Sequence, residues 1–599
     1  MRKMGFKNWS FVLLLFMLAW FLPSAVRAEG IIEISYKGHV KIIYVVEGSD
    51  CYISNDGKNY EQLLIPVFGI DHESLNAKKK IWIKGNIKKF WSEEKIYGAT
   101  RSIVLENCDQ LEDFELNHSK KLDEIVLKGT TDLKSPRFND CGNDADFKAI
   151  QSPVKNIENI SWIFKTLEFT NCNDLEEIVS TNGFRSVKAI NCAKLTKIGL
   201  HSSELKTLDL TGSSNVKSID ISGCNKLVTL SGWESSQNSL QTVNTNNCSN
   251  LTSINCKQHS KLETLEAKNC GKLETVEVNG SQLTKLDLTG AATKSLDLSN
   301  CTKLTTIVGF DTLPLQTLKA NNSGLRQIAE NESLEDLEVE KCSQLTTIKG
   351  GKSLKKVKAN NCSSLTAFET MKSDNFWYLE AKNCGKLEKV GIRARYIRQF
   401  DLSNSATKHL DLSNCPQLEK IVGFATLPLL SLKLHTSGLW RIPKINSLQT
   451  LKIEECHRLD AIGVGESLQT LLVSGCGNLY QLFVTGGKNL RSLTVNRCWI
   501  LNSIEAKDCE NLEEVEVAGY QNRFPNLDVS RSKKLKKIEA SLCREINAHN
   551  CEALETFKVE GINRLVITGC PKLTKIEGDL TYLVALECNQ CGGFSADYL

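Results

Sequence analysis

Residues 262–273 read Leu-Glu-Thr-Leu-Glu-Ala-Lys-Asn-Cys-Gly-Lys-Leu, and this phrase, L-x-x-L-x-L-x-x-C-x-x-L, recurs with variations from about residue 100 onward. At its centre Leu265 and Ala267 flank one polar residue, the period of two that marks a short strand with one face turned inward. Ile219 and Ile221, Leu296 and Leu298, Leu337 and Val339, Leu410 and Leu412, and Leu471 and Val473 repeat the pairing. Strand centres follow one another every 9 to 11 residues, as at Leu265, Val276, Leu286, Leu296, Ile307, Leu318 and Ile328. Two such half-coils make a coil of about 21 residues, a period at which repeats stack and bury a core that none of them closes alone. The expected fold class is a β-rich solenoid with short parallel strands.

Of the 23 cysteines, 19 occupy the ninth slot of the phrase, from Cys108 to Cys591; Cys51, Cys141, Cys256 and Cys588 are the exceptions. Ten of the 19 follow an asparagine, among them Asn171, Asn269, Asn361 and Asn414. Asparagine tolerates left-handed backbone and hydrogen-bonds its own turn. Cysteine suits the slot behind it, being small, usually buried and only a weak donor. Most of the cysteines are therefore expected as a buried ladder of thiols rather than a disulfide network or a metal array.

Residues 1–28 carry a basic start, a 12-residue apolar run from Phe11 to Leu22, and small residues before Glu29. That run is too short for the roughly 20 residues of a membrane-spanning helix and reads as a signal peptide. Residues 29–100 are expected to form a β-rich leader that caps one end, and residues 101–599 the solenoid with a C-terminal cap. No later segment is apolar enough to span a membrane, so the mature chain is expected to be secreted or at the cell surface, with the periplasm an alternative.

The coil length and spacing resemble leucine-rich repeats over about five-sixths of the chain. The short cysteine-bearing coils are similar to internalin J-like surface proteins of bacteria, including those of Bacteroidetes. Such a resemblance implies repeats that bind other molecules at a cell surface. The family's anchoring does not carry over, because neither a wall-sorting motif nor a C-terminal secretion domain is visible.

Cysteine spacings from Cys270 run 31, 41, 20 and 22, and the same series repeats from Cys384, so a block of 114 residues has been copied. Between residues 292–325 and 406–439, 23 of 34 positions are identical. Eleven half-coils make five and a half coils, so the copies either present opposite faces or contain one long coil that restores the register. Subtracting 114 sets Trp440 against Arg326, Leu472 against Lys358, Tyr480 against Thr366, Phe483 against Glu369 and Trp499 against Gly385. All five lie at slots that the phrase leaves outward-facing. Large apolar residues in such slots are the usual anchors of an interface, so these five are the candidate binding residues.

The chemistry of catalysis is not visible. Lys and Arg total 74 against 70 Asp and Glu, and Arg2, Lys3, Lys7 and Arg27 account for the surplus. A neutral body has no general field to hold nucleic acid. The acids at Glu168, Asp220, Glu266, Asp297, Glu338, Glu380 and Asp411 fall between inward residues and read as a polar face. Phe310, Phe424 and Trp233 are expected inside, as an aromatic spine. His549 near Cys543 and Cys551 lacks a fourth ligand and reads as a turn residue. Cys588 and Cys591 hold the sixth and ninth slots of the final coil, a core pair or an end-sealing disulfide. The expectation is a non-enzyme with no cofactor or metal that binds a protein or glycan, the alternative being a structural spacer without a specific ligand.

Overall fold

The computed structural model describes residues 30–36, 40–62, 67–72, 79–94, 100–130, 136–142, 144–157, 164–181, 183–233, 239–370, 373–520 and 525–592. The signal-peptide expectation lies outside the described residues. The chain divides into two compact units, residues 1–240 and 241–599.

In the first unit the leader is antiparallel. Strand Gly30–Tyr36 pairs on one side with Lys79–Glu94 and on the other with Thr100–Glu106. From Thr100–Glu106 the sheet runs on in parallel through Glu124–Lys128, Ala145–Ile150, Phe164–Thr170, Ser186–Ile190 and Thr207–Asp209. The leader and the first coils thus share one sheet. The later part of Lys79–Glu94 pairs in parallel with Asp113–Asn117, so the leader meets one opening half-coil through this strand and the other through Gly30–Tyr36. Gly85 permits its turn: φ is 136°, and a Cβ there would lie 2.4 Å from the Asp50 carbonyl oxygen. An aromatic column fills the interior, with ring centroids of Phe90 and Phe114 at 5.5 Å, Phe114 and Phe138 at 6.1 Å, and Phe138 and Phe164 at 5.4 Å.

In the second unit each coil contributes two strands to two sheet series, here called front and back. Front strands include Thr275–Val278, Ser295–Asp297, Thr317–Lys319, Asp336–Glu338, Lys356–Lys358 and Tyr378–Glu380, each in parallel register with the next. They begin 19 to 22 residues apart. The front continues through Arg441–Ile442 and Ala461–Ile462 to Gln481–Phe483 and Ser503–Glu505. Between them the chain lays down the back strands, including Lys389–Ile392, His409–Ser413, Ser431–His435, Thr450–Glu454, Thr470–Ser474 and Ser492–Asn496. Leu262, Leu265, Ala267, Cys270 and Leu273 of the opening phrase are all fully buried between the sheets. This is a β-solenoid of leucine-rich-repeat type, with coils of about 21 residues.

The copied block presents opposite faces. Front strands Ser295–Asp297, Thr317–Lys319 and Asp336–Glu338 become back strands His409–Ser413, Ser431–His435 and Thr450–Glu454. No long coil restores the register.

Backbone geometry explains the turn residues. Every one of the 19 residues that precede a ninth-slot cysteine has φ between 51° and 82°. This left-handed region costs most L-residues roughly 1–2 kcal/mol and costs asparagine and glycine least. The asparagines also bond from coil to coil: Asn322 Nδ2 donates to Asn300 Oδ1 at 3.0 Å, Asn383 to Asn361 at 3.1 Å and Asn404 to Asn383 at 3.0 Å.

Behind most of these turns, the cysteine thiol meets a backbone carbonyl of the preceding coil. Cys362 Sγ lies 2.8 Å from Val339 O, Cys384 Sγ 3.1 Å from Ala359 O and Cys270 Sγ 3.1 Å from Thr245 O. Hydroxyls in the same slot do likewise, as Ser213 Oγ donates to Ala189 O at 2.7 Å and Thr130 Oγ1 to Leu105 O at 2.9 Å. Cys141, set aside as an exception in the sequence, follows left-handed Asp140 and places Sγ 3.5 Å from Leu116 O, so it holds this slot too. The irregular stretch around it hid the match.

Candidate functional site

The surface chemistry follows from which slots the two sheets leave outward. The acids between inward residues are half-buried rather than freely solvated. Asp297 accepts the Ser299 N–H at 3.1 Å and Asp401 that of Ser403 at 2.8 Å, so these side chains close the turn after the strand. Lysines of nearby coils pair with them, as Lys257 does with Asp297 at 3.4 Å and Lys382 with Asp401 at 3.4 Å. Asp401 lies below its usual pKa despite burial, because the Ser403 hydroxyl and N–H and the Lys382 ammonium favour the charged form. The acidic rows are thus structural in their contacts. Phe310, Phe424 and Trp233 are buried, the two phenylalanines behind Gly309 and Gly423 in left-handed conformation.

Against this polar background stands a row of exposed aromatic side chains. In the second unit, every exposed Trp, Tyr or Phe among the described residues lies either on a front strand or in a turn that carries the chain from back to front. These are Trp377, Tyr396, Trp440, Tyr480, Phe483, Trp499 and Tyr582. Trp377, Trp440 and Tyr480 take one slot, each directly after the buried residue that precedes a front strand (Phe376, Leu439 and Leu479). Trp440 is 54% exposed, Tyr480 53%, Phe483 51% and Trp499 45%.

Trp499 is built into a stack. His457 and Trp499 occupy the same turn slot two coils apart, with ring centroids 5.0 Å apart and planes inclined by 27°. The intervening coil has Gly477 in that slot, and a Cβ there would lie 3.2 Å from a Trp499 ring carbon. Glycine therefore leaves the space in which the two rings meet. On the other side, Trp499 lies 6.1 Å from the ring of Tyr520. Glu455 Oε2 stands 3.5 Å from His457 Nε2, adding a carboxylate at the margin.

Four of the five candidate residues therefore fall on one side of the solenoid. Leu472 does not: it is half-buried on back strand Thr470–Ser474, between Lys452 and Thr494 of its neighbours. It was grouped with the others because the phrase marks a slot as outward without saying which sheet bears it. His457, Tyr520, Trp377 and Tyr396 were missed. The spacings 457, 477 and 499, each directly after a ninth-slot cysteine, were the available signal for His457.

Comparison with known proteins yields solved structures alone. A leucine-rich repeat protein from Bacteroides ovatus is 14% identical over 57% of this chain and 82% of its own, with a TM-score of 0.19. A leucine rich cell surface protein from Faecalibacterium prausnitzii is 12% identical over 67% of this chain and 88% of its own, with a TM-score of 0.15. No protein-family model matches the chain, and no curated protein does. Among the described residues, no helix is long and apolar enough to cross a membrane.

Proposed function

We propose that the chain is an exported, non-catalytic binding protein of the cell surface that recognises a protein or glycan along the back-to-front edge of its second unit. The observation that carries this reading is the placement of the exposed aromatics on one side. A spacer has no use for wetted tryptophans, whereas aromatic anchors bury much area at low conformational cost when a partner covers them. The aromatics are spread along the second unit from Trp377 to Tyr582, so the fitting partner is extended. The duplication supplies an internal control. The slots of Trp440, Tyr480, Phe483 and Trp499 hold Arg326, Thr366, Glu369 and Gly385 in the first copy, where the same slots serve the opposite side.

The test is a binding screen of intact protein against glycan arrays and host-surface proteins, repeated with Trp440→Ala combined with Trp499→Ala. Affinity for the captured partner is expected to fall by about 2 kcal/mol or more with folding unchanged. Arg326→Ala should leave it unchanged. Equal losses from both variants, or none from either, would sink the assignment.

A further inference from the structure

The Cys-x-x-Cys at the end of the second unit differs from every other cysteine-bearing coil. In the neighbouring coils the residue three before the ninth-slot cysteine is apolar: Ala506 before Cys509, Ala540 before Cys543, Ala548 before Cys551 and Ile567 before Cys570. Before Cys591 it is Cys588. The Cys591 thiol keeps the contact of its slot, with Sγ 3.0 Å from Ile567 O, and also meets the thiol of Cys588. Twenty of the 23 cysteines are buried; Cys588, Cys591 and Cys141 are half-exposed. Around the pair, the inward slots of the last coil, Ile576, Leu583 and Leu586, are half-exposed as well.

We propose that Cys588 and Cys591 form a redox-active dithiol, a modification site that closes into an intracoil disulfide when a small-molecule disulfide supplies the oxidising equivalents. The turn geometry suits it. In this slot the cysteine N–H reaches the carbonyl three residues back, as Cys301 N does to Leu298 O at 3.1 Å and Cys224 N to Ile221 O at 3.2 Å. Such a turn holds the two Cα atoms within about 7 Å, against the roughly 4.4–6.8 Å that a disulfide spans. Other thiols also touch between coils, namely Cys172 with Cys192, Cys342 with Cys362 and Cys476 with Cys498, but all six are buried and shielded from an oxidant.

The chemistry is an exchange. Cys588, as thiolate, attacks one sulfur of the oxidant and expels its other half as a thiolate, giving a mixed disulfide. Cys591 then loses its proton and attacks Cys588 Sγ, expelling the second half. Two protein thiols give up two electrons and two protons, and the oxidant leaves as two thiols. The Cys591 thiol is engaged with the Ile567 carbonyl and burial holds it further from the thiolate, which assigns the first attack to Cys588 and the resolving step to Cys591.

The experiment treats the full native chain with glutathione disulfide, alkylates it without denaturant, and maps the cysteines by peptide mass spectrometry. The expected product carries a Cys588–Cys591 link, the peptide lighter by two hydrogens and both sites protected from alkylation, while the buried cysteines stay unlinked. Cys588→Ala places there the residue that Ala548 provides two coils earlier. In that variant Cys591 should end as a glutathione adduct or an alkylated thiol. Alkylation of both cysteines despite the oxidant overturns the proposal, as does a link from Cys591 to Cys570 in the wild-type chain.

Discussion

Leu296 and Leu410 hold the same position in the two copies of the 114-residue block, yet Leu296 packs inward from the front sheet and Leu410 from the back. The copy spans a half-integral number of coils. It was tolerated because front and back half-coils use one phrase, so either can be built from the other's sequence. Deleting residues 384–497 should therefore leave a folded, shorter solenoid in which Ser503–Glu505 joins the back strands instead of the front. A structure of the deletion variant, or distances between probes on Lys358 and Glu516, reads this directly. Loss of β signal, or strand Ser503–Glu505 still in the front sheet, would contradict it.

A ninth-slot cysteine should tolerate serine better than a larger residue. Burial raises these thiols, to about 11 for Cys384 and Cys509, and each already faces a carbonyl. Ser213 and Thr130 show that a hydroxyl finds the same acceptor, so Cys384→Ser should cost no more than about 1 kcal/mol. Cys384→Leu overfills the slot and should cost about 1–3 kcal/mol. Denaturant melts of the two variants separate the cases; equal losses would remove the carbonyl contact as the explanation.

The asparagine column has a gap at Lys341, whose φ is 60°. It stands between Asn322 and Asn361, in the slot through which Asn322 bonds to Asn300 and Asn383 to Asn361. Lys341→Asn should stabilise the chain by about 1 kcal/mol, because asparagine bears left-handed backbone at lower cost. Lys341→Ala, with the same loss of charge, should not. Thermal melts of both decide it.

How far the sequence could be read follows from the same periodicity. The left-handed turns, the buried cysteines and the inward phenylalanines were legible because each slot recurs many times and its chemistry is repeated. The sheet that carries a given slot was not, since front and back obey one pattern; this is why Leu472 was grouped with Trp440. The stack of His457, Trp499 and Tyr520 was hidden for a different reason. It depends on three single departures, with glycine at Gly477 between two of them, and no repeat announces it.

Gly477 should therefore control Trp499 without touching the core. In Gly477→Ala the new Cβ meets the indole at 3.2 Å, and one of the two must give. Backbone φ at Gly477 does not lie in the left-handed region, so the variant should fold, with Trp499 displaced from His457. Tryptophan fluorescence reports the displacement, as a change that Gly477→Ala produces in the parent chain but not in a Trp499→Phe background. An unaltered Trp499 environment would show that the glycine is incidental.

The last expectation concerns pH. His259 sits fully buried in a ninth slot where other coils place cysteine or serine, and burial holds its pKa below the ordinary 6.5. Its folded value is depressed, so the folded chain resists a proton that the unfolded chain accepts. Stability is then fully present above the unfolded value of about 6.5 and is lost as pH falls from there through the depressed folded value. Replacing the imidazole by His259→Ser keeps a small polar group in the slot, as Ser213 and Ser532 do, and removes that dependence. Hydrogen exchange of the amides of residues 256–262 should accelerate on going from pH 7.5 to 5.5 in the parent, after correction for intrinsic rates, and much less in the variant. An identical pH response in both chains would show that His259 carries none of it.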